Sequence, residues 1–158
     1  MTIVYFGAKF DKGSGPIFNQ MSKLNDTYKD KVTFLAVFTD PNPADIERFL
    51  QKKEFVLNFP ACFDEARRVQ KAFMEIGKVA ALPIPNAFII NKGKIVWHQV
   101  FSQNYQTHNS NFVAQLKHVL AGEPLESAGP KPADEVESSS DEERPAAAGG
   151  DDGDLALF

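Results

Sequence analysis

The sequence of 158 residues predicts an α/β fold in which a mixed β-sheet packs between helices. Apolar runs typical of strands and segments of helical periodicity follow one another in the order strand, helix, strand, helix, helix, strand, strand, helix. A strand-helix-strand unit favours a parallel crossover, whereas two strands joined by a short turn pair antiparallel. Thirteen of the fourteen Phe residues precede residue 123, so the predicted core lies before that point.

The first strand-helix-strand unit occupies the beginning of the chain. Residues 3–6 and 32–38 are continuous apolar runs, which are typical of strands covered on both faces. Between them, Ser14 suits the cap of a helix and Pro16 its first turn. The apolar residues that recur at helical spacing are Ile17, Phe18, Met21, Leu24 and Tyr28.

Two further helices are predicted after the second strand. Asn42 and Pro43 begin the first of them, and Asp64 caps the second. The inner face of the first carries Ile46, Phe49 and Leu50, and the stripe of the second carries Val69, Ala72, Phe73 and Ile76.

A hairpin and an amphipathic helix complete the folded part. Residues 86–91 and 94–101 are short strand patterns separated by Lys92 and Gly93, a spacing that indicates a hairpin. Residues 109–121 then have the periodicity of an amphipathic helix, and Gly122 suits its C-terminal cap.

The C-terminal part of the sequence differs sharply in composition. Residues 123–158 contain eleven acidic and two basic residues, a net charge of -9, and their only aromatic residue is Phe158. Such a segment cannot offset the entropy of ordering, so we predict a disordered acidic tail. Residues 1–122 carry 15 basic and 10 acidic residues, a net charge of +5, and form the predicted domain.

Several classes of function are disfavoured by the sequence. No apolar run approaches the roughly 20 residues that cross a bilayer, and no signal peptide pattern is present, so we expect a cytoplasmic protein without a membrane partner. The single cysteine, Cys62, excludes chemistry that needs two thiols from this chain. His98, His108 and His118 lack metal-site spacing and are expected at the surface, and residues 13–16 lack the Lys of a phosphate loop. With its positive charge spread out, the chain is not expected to bind nucleic acid, and we expect no cofactor or metal.

Two motifs carry a resemblance to a known family. Residues 4–14 (VYFGAKFDKGS) and residues 84–96 (IPNAFIINKGKIV) resemble the thioredoxin-fold superfamily, closest to its tryparedoxin, nucleoredoxin and TlpA-like members. The first resembles the strand and turn that lead into Cys-x-x-Cys, and the second the cis-proline, strand, glycine turn and strand. The resemblance covers nearly all of residues 2–121. It implies a thioredoxin-like three-layer fold with a mixed four-stranded sheet flanked by helices, and a cis bond between Ile84 and Pro85.

The active-site cysteines of that family are missing at the matching positions. Phe10 stands in the place of the family's Trp, Asp11 in that of the attacking cysteine and Ser14 in that of the resolving cysteine. Thiol-disulfide exchange requires a thiolate at a helix N-terminus and a second thiol that releases the mixed disulfide. The resemblance therefore implies a redox-inactive domain that is not a dithiol enzyme.

The groove that binds substrate in this family does not depend on the thiols. There, the backbone before the cis-proline pairs with an extended segment beside the active-site turn. In this chain the corresponding surface, here called the peptide groove, consists of Phe10, Asp11, Lys12, Ile84 and Pro85. We expect a protein-interaction or assembly module whose partner is a protein or an extended peptide segment. A chaperone-like peptide-binding domain would use the same groove.

Cys62 leaves a different class of function open. A monothiol oxidoreductase or peroxidase would need a thiolate, and Cys62 precedes a predicted helix start, where a thiolate is stabilised. Alternatively, Cys62 is a small buried residue between Ala61 and Phe63. Assays of insulin reduction and peroxide consumption separate this enzyme from an interaction module.

The acidic tail contains two further signals. Ser138, Ser139 and Ser140 each precede an acidic residue by three positions, the pattern that acidophilic kinases such as casein kinase 2 accept. Residues 151–158 combine acidic with apolar residues, a composition that suits binding to a groove. The basic domain and the acidic tail also invite a weak intramolecular contact that salt would screen.

Overall fold

The computed structural model describes residues 1–52, 54–101 and 105–125. Most of the predicted tail therefore lies outside the described residues, including Ser138, Ser139 and Ser140. The elements in chain order are β1 (Thr2–Gly7), α1 (Ser14–Tyr28), β2 (Thr33–Phe38), α2 (Pro43–Leu50), β3 (Ala61–Phe63), a 3-10 turn (Glu65–Arg67), α3 (Arg68–Gly77), β4 (Asn86–Asn91), β5 (Lys94–Val100) and α4 (Tyr105–Ala121).

The described strands form a five-stranded sheet in the order β3-β2-β1-β4-β5. Strands β1, β2 and β3 are parallel, and β4 is antiparallel to both β1 and β5. The predicted mixed sheet between helices is confirmed, with one strand more than the four expected. The additional strand, β3, is only 3 residues long and therefore too short to show an alternating pattern. It exists because residues 61–63 pair with the end of β2.

Helices cover both faces of the sheet, which explains the continuous apolar runs of its central strands. Helices α1, α2 and α4 pack on the face that carries Ile3 and Tyr5. Helix α3 packs on the opposite face, which carries Val4 and Phe6. Because successive side chains of a strand point to opposite faces, β1 contributes buried residues to both cores. No helix among the described residues is long and apolar enough to cross a membrane.

The predicted start of α2 is confirmed, whereas α3 begins later than predicted, at Arg68, after a 3-10 turn that follows Asp64. The Asn42 side chain accepts a hydrogen bond from the Ala44 amide at 3.1 Å, and Pro43 is the first helical residue. Asp64 caps α3 across the intervening 3-10 turn, because its two carboxylate oxygens accept hydrogen bonds from the amides of Val69 and Gln70, each at 2.8 Å.

The hairpin and the end of α4 also follow the sequence closely. Lys92 and Gly93 have φ values of 51° and 75°, the left-handed geometry that a two-residue hairpin turn requires. Helix α4 begins at Tyr105, before the predicted position 109, and Gly122 follows its last residue with a φ of 70°. The expected glycine cap is therefore present.

Two side chains lie elsewhere than predicted. Ile76 is 69% exposed, because the inner stripe of α3 is formed around Val69 and Phe73. His98 is not a surface residue: its ring stacks on Phe88 with the centroids 4.1 Å apart. The cause is register, since His98 pairs with Phe88 across β4 and β5 and so shares its face of the sheet.

Candidate functional site

The turn between β1 and α1 is closed by the Ser14 side chain. Its hydroxyl accepts a hydrogen bond from the Ala8 amide at 3.1 Å and donates one to the Asp11 carboxylate at 2.9 Å. Ser14 is fully buried. The prediction that Ser14 caps α1 is wrong, because the residue before the helix is Gly13 and the Ser14 hydroxyl points back into the turn. Asp11 and Ser14 are therefore hydrogen-bonded to each other at the two positions where the resemblance implies cysteines.

A second carboxylate, which the sequence analysis missed, supports the same turn. Asp40 is 4% exposed, and both its oxygens accept from the Lys9 amide, at 3.0 and 2.9 Å. The parallel register pairs Gly7 with Phe38, so the residues two positions beyond these strand ends meet. The sequence offers no local signal for this contact, because Lys9 and Asp40 lie 31 residues apart and meet only through the pairing of β1 with β2.

The first turn of α1, which follows this turn, packs closely against Phe55. A Cβ atom at Gly15 would lie 2.1 Å from Cε1 of Phe55, so only glycine allows the ring to pack there. Phe55 in turn stacks on Phe49 of α2 with the ring centroids 4.6 Å apart. The start of α1 is thus fixed against the segment that follows α2.

The Ile84-Pro85 peptide bond is cis, as the resemblance implied. Phe6 pairs with Asn86, so the chain before β4 lies at the same end of the sheet as the turn that follows β1. The Pro85 carbonyl accepts a hydrogen bond from the Phe101 amide at 2.8 Å, which ties this segment to the end of β5. The sheet register therefore brings both parts of the predicted peptide groove to the same end of the sheet.

The residues of the peptide groove differ in exposure. Phe10 is 60% exposed, an unusual value for a large aromatic side chain in this domain. Lys12 is exposed, Asp11 and Ile84 are partly exposed, and Pro85 is buried. The amide and carbonyl groups of Ile84 form no hydrogen bond with the residues that the structure describes. An accessible aromatic ring thus lies at the end of the sheet where backbone groups are unpaired.

Cys62 lies in the edge strand β3 and not in the turn. Strand β2 separates β3 from β1, and two strand spacings of about 4.8 Å put their backbones roughly 10 Å apart. The thiol is exposed, and partial desolvation together with the nearby Asp64 carboxylate raises its pKa. A raised pKa lowers the thiolate fraction at neutral pH, which is the reverse of what a nucleophilic cysteine requires. The structure therefore places Cys62 in neither of the environments considered from the sequence.

The two histidines whose side chains the structure describes, His98 and His118, both make contacts with nearby side chains. Burial lowers the pKa of His98 to about 4, so its ring is neutral at neutral pH. Nδ1 of His118 lies 2.9 Å from a carboxylate oxygen of Glu123. The side chain of His108 lies outside the described part of the chain. No group of three metal-ligating side chains occurs among the described residues.

Comparisons with known proteins found a family match and similar folds. The sequence profile of the AhpC/TSA family matches residues 1–99, a range that includes the turn, Cys62 and the Ile84-Pro85 bond. No curated protein matches the chain.

Three solved structures are similar in fold. A protein described as the thiol:disulfide interchange protein DsbE from Chlorobium tepidum is 20% identical over 72% of this chain and 77% of its own, with a TM-score of 0.58. A thioredoxin-like protein in its oxidised form is 17% identical over 78% of this chain and 79% of its own, with a TM-score of 0.60. The thioredoxin domain of a thiol-disulfide oxidoreductase from Bacteroides vulgatus is 18% identical over 71% of this chain and 78% of its own, with a TM-score of 0.52. At these identities the similarity concerns the fold.

Proposed function

Since the chain belongs to the AhpC/TSA family, whose members are typically oxidoreductases, we propose that it is a redox-inactive member that binds an extended segment of a partner protein. The observation that carries this proposal is the hydrogen bond between Asp11 and Ser14, at the positions that the resemblance of residues 4–14 to thioredoxin-like proteins assigns to the two cysteines of Cys-x-x-Cys. With one cysteine in the chain, no dithiol can form there. A second thiol is what releases the mixed disulfide in thiol-disulfide exchange.

The binding half of the site does not need sulfur. The unpaired backbone groups of Ile84 are suited to pair with an extended strand, which supplies main-chain hydrogen bonds irrespective of the partner's sequence. The exposed ring of Phe10 offers an apolar contact for a side chain of that strand, and Lys12 offers a charge. Together these features favour capture of an extended peptide without turnover.

Photo-crosslinking tests the location of binding. In the full chain, Phe10 is replaced by a photoreactive benzoylphenylalanine, and Val56 is replaced in a control because its exposure of 61% matches the 60% of Phe10. We expect cross-links to partner proteins from position 10 and not from position 56. Ile84→Arg should abolish the cross-links from position 10. Equal cross-linking from both positions, or insensitivity to Ile84→Arg, would contradict use of the peptide groove.

Activity assays test the absence of turnover. We expect the purified full chain to reduce insulin and consume peroxide no faster than its Cys62→Ser variant. Activity that disappears in Cys62→Ser would instead support the monothiol oxidoreductase or peroxidase. Suppression of aggregation of many unrelated unfolded proteins would support the chaperone-like domain, because a holdase differs from an assembly module in partner selectivity.

A further inference from the structure

A second groove lies between α1 and α4, on the face of the sheet opposite α3. Its volume is about 800 Å³, and residues of both helices line it. The apolar lining comes from Leu24, Val113, Ala114 and Ala121. Neither the sequence motifs nor the proposed peptide groove uses this surface, here called the helix groove.

The charged residues of the helix groove give it a positive character. Lys23 and Lys117 line it, and neither forms an ion pair with a described residue. The acidic group there, Glu123, is already engaged by His118, since its carboxylate oxygen lies 2.9 Å from Nδ1 of that ring. Two lysines therefore remain available to an acidic ligand that covers the apolar floor.

The chain itself leaves the domain at this groove. After α4, the left-handed conformation of Gly122 turns the backbone, and the Glu123 amide donates to the His118 carbonyl at 2.9 Å. Glu123 lines the helix groove, and Leu125 packs against the main core. The described part of the chain thus ends at Leu125, two residues after Glu123, which lines the helix groove with the two lysines.

We propose that residues 151–158 of this same chain bind in the helix groove. This segment, DDGDLALF, has three acidic residues followed by Leu155, Leu157 and Phe158. The acidic residues complement Lys23 and Lys117, and the apolar residues match the apolar floor of the helix groove. No other stretch after residue 125 combines acidic residues with several large apolar side chains.

Because residues 151–158 are attached to the domain, even a weak interaction is enough to keep them in the helix groove for much of the time. The connecting residues 126–150 are predicted from the sequence to be disordered, and a random coil of that length has a root-mean-square end-to-end distance of about 25–30 Å. The effective concentration of the tethered segment is then on the order of millimolar. An intrinsic dissociation constant on the order of millimolar is enough for about half occupancy, and salt should weaken the contact because both lysines are at the surface.

Paramagnetic relaxation in the full chain tests this proposal. A nitroxide label is attached to Gly153→Cys in a Cys62→Ser background, and amide signals of the ¹⁵N-labelled protein are compared before and after reduction of the label. We expect the signals of residues 20–27 and 113–121 to lose roughly half or more of their intensity. Signals of α3, on the opposite face of the sheet, should keep theirs.

Three controls make the outcome specific. Leu155→Asp/Leu157→Asp/Phe158→Asp and, separately, Lys23→Glu/Lys117→Glu should both restore the lost intensity. Lys52→Glu/Lys71→Glu changes the net charge by the same amount at exposed positions outside the helix groove and should restore nothing. Mixing labelled ¹⁴N protein with unlabelled ¹⁵N protein should give no intensity loss, since the contact lies within one chain.

Several results would overturn the proposal. Intensity loss in the mixed sample would show contact between two copies of the chain. Strongest loss around Ile76 and Lys94, where a smaller apolar pocket lies on the α3 face, would place the segment on the wrong side of the sheet. Absence of any localised loss, or loss that persists in Lys23→Glu/Lys117→Glu, would exclude the helix groove as its binding site.

Discussion

Replacement of Ser14 by alanine tests whether its hydroxyl stabilises the turn between β1 and α1 through its two hydrogen bonds. In the folded protein this hydroxyl accepts from the Ala8 amide at 3.1 Å and donates to Asp11 at 2.9 Å. Ser14 and Ala8 are fully buried, so water does not replace the acceptor that Ala8 would lose. An unsatisfied buried donor costs about 1–3 kcal/mol, whereas Asp11 is partly exposed and regains a partner from solvent. We expect Ser14→Ala to lower the free energy of unfolding by about 2 kcal/mol.

Urea unfolding, followed by the fluorescence of the single and buried Trp97, measures this loss. For a small domain a loss of about 2 kcal/mol lowers the urea midpoint by roughly 1 M. Thr27→Ala is the matched control, because its exposed hydroxyl donates to the Lys23 carbonyl at 3.0 Å within one helix, and it should change stability by less than about 0.5 kcal/mol.

A double-mutant cycle with Asp11→Ala extends the test. Because the two side chains are hydrogen-bonded to each other, the effects of Ser14→Ala and Asp11→Ala on the free energy of unfolding should not add. A Ser14→Ala variant as stable as the Thr27→Ala control would refute the structural role. It would leave the buried hydroxyl without an explanation from packing or hydrogen bonding.

Three further predictions follow from the same structure. Asp11→Cys/Ser14→Cys should form an internal disulfide in air and, once dithiothreitol has reduced that disulfide, should reduce insulin, because these side chains meet at 2.9 Å; a pair that stays reduced under air would contradict the assigned correspondence. Burial lowers the pKa of His98 from 6.5 to about 4, so the unfolded chain binds more protons between these values, and stability should fall by up to about 3 kcal/mol as the pH drops through this range. Urea unfolding across that range should show this loss as the difference between the parent protein and His98→Leu, and parallel curves would disprove it. Gly15→Ala should destabilise the fold by about 1–3 kcal/mol through overlap with Phe55, and calorimetry should find partial rescue by Phe55→Leu; a neutral Gly15→Ala would show that the ring moves freely.

Much of the fold could be predicted from local patterns in the sequence. The apolar runs of β1 and β2, the Asn42 and Asp64 caps and the Lys92-Gly93 turn all depend on neighbouring residues, and the structure confirms each of them. Local signals of this kind act over a few positions, which is why the order of elements could be predicted in advance. The cis bond before Pro85 came from the family resemblance and not from such a pattern.

The candidate site could be predicted only in part from the sequence. Its residues could be named by position, but the direction of the Ser14 hydroxyl and the contribution of Asp40 could not. Asp40 meets Lys9 because two parallel strands end in register, 31 residues apart in the chain. A contact of that separation leaves no mark on the residues near either partner.

Local sequence patterns are enough to predict an α/β fold, a chain without a dithiol and a concentration of acidic charge after residue 122. The folded structure adds a fifth strand at residues 61–63, the stacking of His98 on Phe88, and a groove between α1 and α4 beside Glu123. The first group can be predicted because composition and periodicity are properties of neighbouring residues. Strand pairing, ring stacking and grooves arise when distant segments pack together, and their energies depend on surfaces that exist only after folding.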